Sequence, residues 1–236
     1  IAEKIHEYGF AKIGMANVDE MAAYADKYFT THKVDKGGVA IMDKAAAKKL
    51  TKPLYAALKK HVEEVLNAYF GSHFQVYWIS IIRYEKANVE AGTSFDYHLD
   101  DNPKQLMKVF FYLNDTYEEN AAFRTFDYEI SRKLTDRGFI SSTADWRINS
   151  QHFISPMLEK KKLHILEGKK GTMFIFDNNL VHKGTTPRRG HRNVIVVEVY
   201  PSDTPFDEES VRKGLEIPYT RDYPKNPFYN DLQATK

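Results

Sequence analysis

At 236 residues the chain is long enough for one sizeable core, and its 42% hydrophobic and 14% aromatic content belongs to a packed globule, not a disordered segment. There is no cysteine, so disulfides, thiolate metal sites and cysteine nucleophiles are excluded, and any metal must be held by nitrogen and oxygen. A formal charge of +2 offers no broad basic field for nucleic acid, and the clusters Lys160, Lys161, Lys162 and Arg188, Arg189 read as solvated loop charges.

No apolar run approaches the roughly 18 to 20 residues of a membrane helix, and no signal peptide is visible. The chain starts at Ile1 without a methionine, which reads as a trimmed start. A cytoplasmic location is the default expectation.

Residues 1–72 read as a helical buttress with one extended piece at 9–14 and a helix at 18–28. The clearest helix spans 52–70, with Thr51 as N-cap, Pro53 in its first turn and Gly71 after its end. Leu54, Leu58, Val62, Val65, Leu66 and Phe70 give it one apolar stripe.

From residue 73 the period changes. Residues 73–84 are apolar on both alternating faces, which fits a strand buried on two sides. Residues 106–114, 122–128, 172–177 and 193–200 read similarly, rich in Val, Ile, Phe and Tyr. Strands following helices favour a β-sandwich or barrel buttressed by helices. The alternation fades over 129–170, with one helical piece near 130–134. An insert of that length in a compact domain suits a lid or binding segment. The tail 201–236, with Pro205, Pro218, Pro224 and Pro227, reads as surface-wrapping chain without regular structure.

Nine histidines and 32 acidic residues among 236 predict about one His-x-acid tripeptide by chance, and the chain holds two. His61-x-Glu63 lies in a helical pattern, where residues two apart face different ways, and reads as a surface pair. His98-x-Asp100 follows a turn containing Gly92 and an extended stretch from Phe95 to Tyr97, and residues two apart on a strand share a face. Alone, His98 reads equally as a ligand or as a hydrogen-bonded edge histidine.

His182 follows the 172–177 strand and an Asn178-Asn179 turn, and ten residues later Arg192 opens the next strand. On spacing, Arg192 reads equally as an ordinary cation at a strand start. Two imidazoles and one carboxylate suit ferrous iron with three open positions. A guanidinium suits the far carboxylate of a dicarboxylate cosubstrate, whereas a closed zinc site wants four protein ligands.

The run from Phe95 to Asp101 (FDYHLDD) and the run from Leu106 to Asp115 (LMKVFFYLND) resemble the phytanoyl-CoA hydroxylase-like branch of the iron(II)/2-oxoglutarate dioxygenases. The chain from Gly171 to Arg192, and the opening around Tyr8 to Ile13, resemble the same family. The resemblance implies a mainly β double-stranded β-helix (jelly-roll) barrel with flanking helices. It implies His98, Asp100 and His182 as iron ligands and Arg192 as partner of the 2-oxoglutarate C5 carboxylate. Thr185, Lys108 and Tyr112 are further candidates for cosubstrate contact, though Lys108 and Tyr112 read more readily as ordinary sheet residues.

The implied reaction turns 2-oxoglutarate and O2 into succinate and CO2 while a hydrogen is removed from a small organic substrate. Asp100 disfavours halogenation, because halogenases of this type replace that carboxylate with a small residue. Two departures touch the substrate side. The chain has Asn120 to Phe126 where many relatives carry a Gly-Pro-rich stretch and Gly-Ser-His, and Gly184 leaves any hydroxyl contact to Thr185. The insert holds Trp146, Arg147 and His152, and the last of these, with His164 and His191, reads as structural or exposed. The expectation is one domain over 1–236: buttress 1–72, barrel 73–200 with insert 129–170, tail 201–236. The rivals are a cupin-type metal-dependent isomerase or hydrolase and a non-catalytic β-sandwich binding module.

Overall fold

The computed structural model describes residues 1–86, 95, 97–100, 105–136, 139, 154 and 161–217. Gly92, Asp101, Trp146, Arg147, His152, most of the 129–170 insert and the tail beyond 217 lie outside the described residues.

The buttress contains helices α1 (Ala2–Tyr8), α2 (Asp19–Thr31), α3 (Lys44–Ala47), α4 (Thr51–His61) and α5 (Glu63–Phe70), and also strands β1 (Phe10–Met15) and β2 (Val39–Ile41). The single helix expected over 52–70 is two. Val62 widens to φ −116°, ψ −36° and separates α4 from α5, while Leu54, Leu58, Val62 and Leu66 all stay buried. Thr51 is not the N-cap. Its hydroxyl donates back to the Lys48 carbonyl at 2.7 Å, and the helical run instead starts at Asp43, whose carboxylate accepts the Ala46 N–H at 2.9 Å.

Next come β3 (His73–Glu85), β4 (Met107–Tyr112), β5 (Phe123–Thr125), α6 (Tyr128–Asp136), β6 (His164–Leu166), β7 (Thr172–Asp177), β8 (His182–Lys183), β9 (His191–Ser202) and α7 (Glu208–Glu216). The strand expected over 122–128 stops at Thr125. Asp127 accepts the Ile130 N–H at 2.9 Å and starts α6, so the chain turns helical there. The expectation of an irregular tail from 201 also fails. Asp207 caps α7 through the Ser210 N–H, and Val211 and Leu215 bury one face.

Six antiparallel strands form the main sheet in the order β1-β7-β4-β9-β3-β2, and three form a facing sheet in the order β6-β5-β8. Alternation on the main sheet sorts its side chains into two cores. Phe74, Ile79, Ile81, Val109, Phe111, Ile175, Ile195, Val197 and Val199 pack with Leu54, Leu58, Leu66, Val211 and Leu215 from the helices. Trp78, Ile82, Phe110, Tyr112, Phe174, Phe176, Val194 and Val196 point the other way and meet Phe123 and Leu166 of the facing sheet. Ring contacts Phe110–Phe123 and Phe123–Phe176, at 4.9 and 4.7 Å, close the gap between the sheets. Both faces of the main sheet are therefore buried, as the unbroken apolar runs require. Among the described residues no helix is long and apolar enough to cross a membrane.

Candidate metal centre

The two histidines meet because the backbone pairs them. His98 and His182 form an antiparallel bridge, His98 N–H donating to the His182 carbonyl at 2.9 Å and His182 N–H to the His98 carbonyl at 3.0 Å. Residues opposed in this way project to the same face, and the ring centroids lie 4.4 Å apart. Asp100, two residues on from His98, adds a carboxylate with Oδ1 3.4 Å from His98 Nε2 and Oδ2 3.6 Å from His182 Nε2. One ligand atom from each of the three residues falls within 4.8 Å of the others. His182 and Arg192 open successive strands and converge on one cavity. They lie on β8 and β9, in opposite sheets.

The electrostatics prepare this trio for a cation. Burial pushes His182 below its ordinary pKa despite the pull of Asp100, so the imidazole is neutral at pH 7. Its Nδ1 lies 2.8 Å from the Leu180 carbonyl, which fixes the proton there and leaves the Nε2 lone pair toward Asp100. Burial alone would raise Asp100, but the Lys108 ammonium and the two imidazoles outweigh it and hold the carboxyl well below the usual range. The donor set, two imidazole nitrogens and one carboxylate oxygen, fits ferrous iron.

A cavity of about 120 Å³ between the sheets is lined by His98, Asp100 and His182 together with Lys108, Tyr112, Arg192 and apolar residues including Trp78, Phe110 and Val196. Arg192 lies opposite Tyr84 in the β3–β9 ladder, its guanidinium carbon 4.2 Å from that ring's centroid. One terminal N–H donates to the Ala121 carbonyl, and Nε is buried without a hydrogen bond. Ala121 holds φ 76°, the left-handed region, so the backbone is bent to present that carbonyl.

The polar atoms of the other candidates have protein partners of their own. Tyr112 donates its hydroxyl to the Leu166 carbonyl at 2.6 Å, tying β4 to β6, and burial pushes the phenol up to about 12. Thr185 turns its hydroxyl to the Ala122 carbonyl at 3.4 Å, and Gly184 is the residue of that turn that lines the cavity. Lys108 contacts Asp100 Oδ2 and lies 3.3 Å from Glu198 Oε1, so its ammonium is engaged by carboxylates. Glu198, only 1% exposed, escaped the sequence reading, although an acid within the apolar run of β9 was a signal. His164 lies 3.7 Å from Asp127, and His191 3.7 Å from Asp26, both away from the trio.

No protein-family model matches the chain, and no curated protein matches it significantly. Solved structures do. The non-heme alpha ketoglutarate dependent epimerase SnoN from nogalamycin biosynthesis superposes with a TM-score of 0.62 at 13% identity, over 85% of this chain and 81% of that one. EctD from S. alaskensis, with bound Fe, gives 0.61 at 12% identity over 85% and 75%. HygX from Streptomyces hygroscopicus, with nickel and 2-oxoglutarate bound, gives 0.57 at 10% identity over 86% and 87%. The fold is a double-stranded β-helix (jelly roll) with flanking helices.

Proposed function

We propose that this chain is a non-haem iron(II) and 2-oxoglutarate-dependent oxygenase of the phytanoyl-CoA hydroxylase-like branch, hydroxylating a small organic molecule. One observation carries the reading: two imidazoles, a carboxylate and a buried guanidinium line the same cavity of a jelly roll. The structural neighbours support it, since their names include alpha ketoglutarate dependence, bound Fe and bound 2-oxoglutarate. Residues 1–217 read as one domain, because β1 and β2 of the buttress are strands of the main sheet.

In this reading His98, His182 and Asp100 hold the iron, leaving positions for cosubstrate and dioxygen. Bound iron supplies oxygen activation coupled to decarboxylation of 2-oxoglutarate to succinate and CO2. Arg192 grips the remote carboxylate of 2-oxoglutarate, its Nε and remaining terminal N–H groups offering the planar fork that carboxylates favour. The stack on Tyr84 and the bond to Ala121 hold that fork in place before the ligand arrives. Trp78, Phe110, Phe123 and Val196 give the cavity an apolar wall, which strengthens each charged contact inside it. Lys108 and Thr185 are left out of the cosubstrate clamp, their polar atoms being turned to other partners.

Anaerobic titration of the ferrous protein with 2-oxoglutarate, read through the metal-to-ligand charge-transfer band, tests this. Arg192→Ala is expected to weaken 2-oxoglutarate by about 2–4 kcal/mol, roughly thirtyfold or more, while leaving iron affinity nearly unchanged. His98→Ala is expected to impair both. Equal 2-oxoglutarate affinity in Arg192→Ala and the parent protein would remove the assignment.

A further inference from the structure

Strand β9 is apolar from Val194 to Val199 with one exception, Glu198, which points into the cavity and is 1% exposed. Its cross-strand neighbour on β4 is Lys108, and its neighbour on β3 is Trp78. Lys108 spans the gap to the facing sheet, with Nζ 3.3 Å from Glu198 Oε1 and in contact with Asp100 Oδ2. The result is an acid–base–acid row, buried at Glu198 and mostly buried at Lys108 and Asp100, whose last member is one of the three groups of the metal trio.

Packing does not call for such a row. Each buried ion carries a desolvation cost of several kcal/mol, and buried pairs can often be exchanged for apolar residues without loss of stability. The nearby same-face positions of β9 are Val194, Val196 and Tyr200, so an apolar residue suits the wall. The row therefore answers to something other than the core.

Its consequence falls on Asp100. A carboxylate beside a divalent ion can bind through one oxygen or both, and the second mode consumes a position that an oxygenase needs open. An ammonium on Oδ2 engages that oxygen and favours ligation through the other. Yet an ammonium this close to a divalent ion also repels it. A buried carboxylate on the far side of the ammonium cancels that repulsion.

We propose that Lys108 and Glu198 form a charge-compensated brace. Lys108 positions Asp100 for ligation through one oxygen, and Glu198 neutralises Lys108 so that a divalent cation can enter. Both act through Asp100. The inference rests on the metal-centre reading above and goes beyond it.

The test is a double-mutant cycle on the apoprotein with cobalt(II) as probe, comparing the parent, Glu198→Gln, Lys108→Met and the double variant. Calorimetry reads affinity and the visible d–d bands read coordination. Glu198→Gln is expected to weaken cobalt(II) by about tenfold, with an unchanged spectrum at saturation. Lys108→Met is expected to alter the d–d bands as the second Asp100 oxygen joins the ion. In the Lys108→Met background, Glu198→Gln is expected to change affinity less than about twofold, because the charge it compensates is gone.

Equal weakening by Glu198→Gln in both backgrounds, or an unaltered spectrum in Lys108→Met, would overturn the brace. His98→Ala separates the two levels. If it binds cobalt(II) as the parent does, the metal centre itself is wrong and the brace falls with it. If it abolishes binding while the cycle is additive, the brace alone fails. Should Lys108→Met not fold, Lys108→Gln gives the same comparison.

Discussion

Two of the residues with positive φ hold it for opposite reasons. Ala121, at φ 76°, keeps a side chain despite the strain, and its carbonyl receives the Arg192 guanidinium. Gly171, at φ 88°, cannot afford one, because a Cβ there would lie 2.3 Å from the Ala16 carbonyl oxygen. That approach is also a hydrogen bond, Ala16 N–H to the Gly171 carbonyl at 2.9 Å, and it fixes where β7 begins. From β7 the chain reaches His182 within a short turn, so the glycine sets the height of that imidazole on the barrel wall. Gly171→Ala is therefore expected to lower stability by about 2–4 kcal/mol, combining backbone strain with overpacking. Urea unfolding measures it, and a loss below about 0.5 kcal/mol would contradict the account.

Among elements, α3 shows how a short helix is held. Asp43 accepts the Ala46 N–H at 2.9 Å and the Tyr28 hydroxyl at 3.0 Å, linking α3 to α2. Those bonds, the Ala46 N–H foremost, lower its pKa below the ordinary carboxylate value. A native pKa lower than the unfolded one means that the stabilisation is complete above the ordinary value and is lost as pH falls through the native one. Asp43→Asn is expected to make the fall of thermal stability between about pH 5 and pH 3 shallower. Identical slopes would show that the cap contributes nothing to acid sensitivity. The elements legible in the sequence were those whose period spans several residues: β1, β3, β4, β7, β9, α2 and the stripe of α4 and α5. Two-residue β8 has no period to read, and its pairing with His98 depends on chain 84 residues away. Helix α7 was hidden by neighbouring prolines, although Asp207 and the spacing of Val211 and Leu215 were present. The metal trio was legible as residue types. The engagement of Lys108 by Asp100 and Glu198 was not, because it depends on register across β4 and β9 and on the gap between sheets.

At the scale of the whole molecule, one sheet serves two cores, and the metal trio stands on the facing sheet's side of the cavity between the sheets. An ion held there binds the folded chain and not the unfolded one, so it adds stability by mass action. At one hundred times its dissociation constant, cobalt(II) is expected to contribute about 2.7 kcal/mol, raising Tm by roughly 5–10 °C for a chain of this size. The shift is expected to vanish in His98→Ala; a persistent shift would place the ion elsewhere. Finally, the bridge between His98 and His182 gives the ion a second duty. Sliding that pairing by one residue would turn the His98 imidazole and the Asp100 carboxylate to the outer wall, because side chains alternate along a strand. The cation can be captured only in the correct alignment, so the same event that fills the site also proofreads how the barrel has closed.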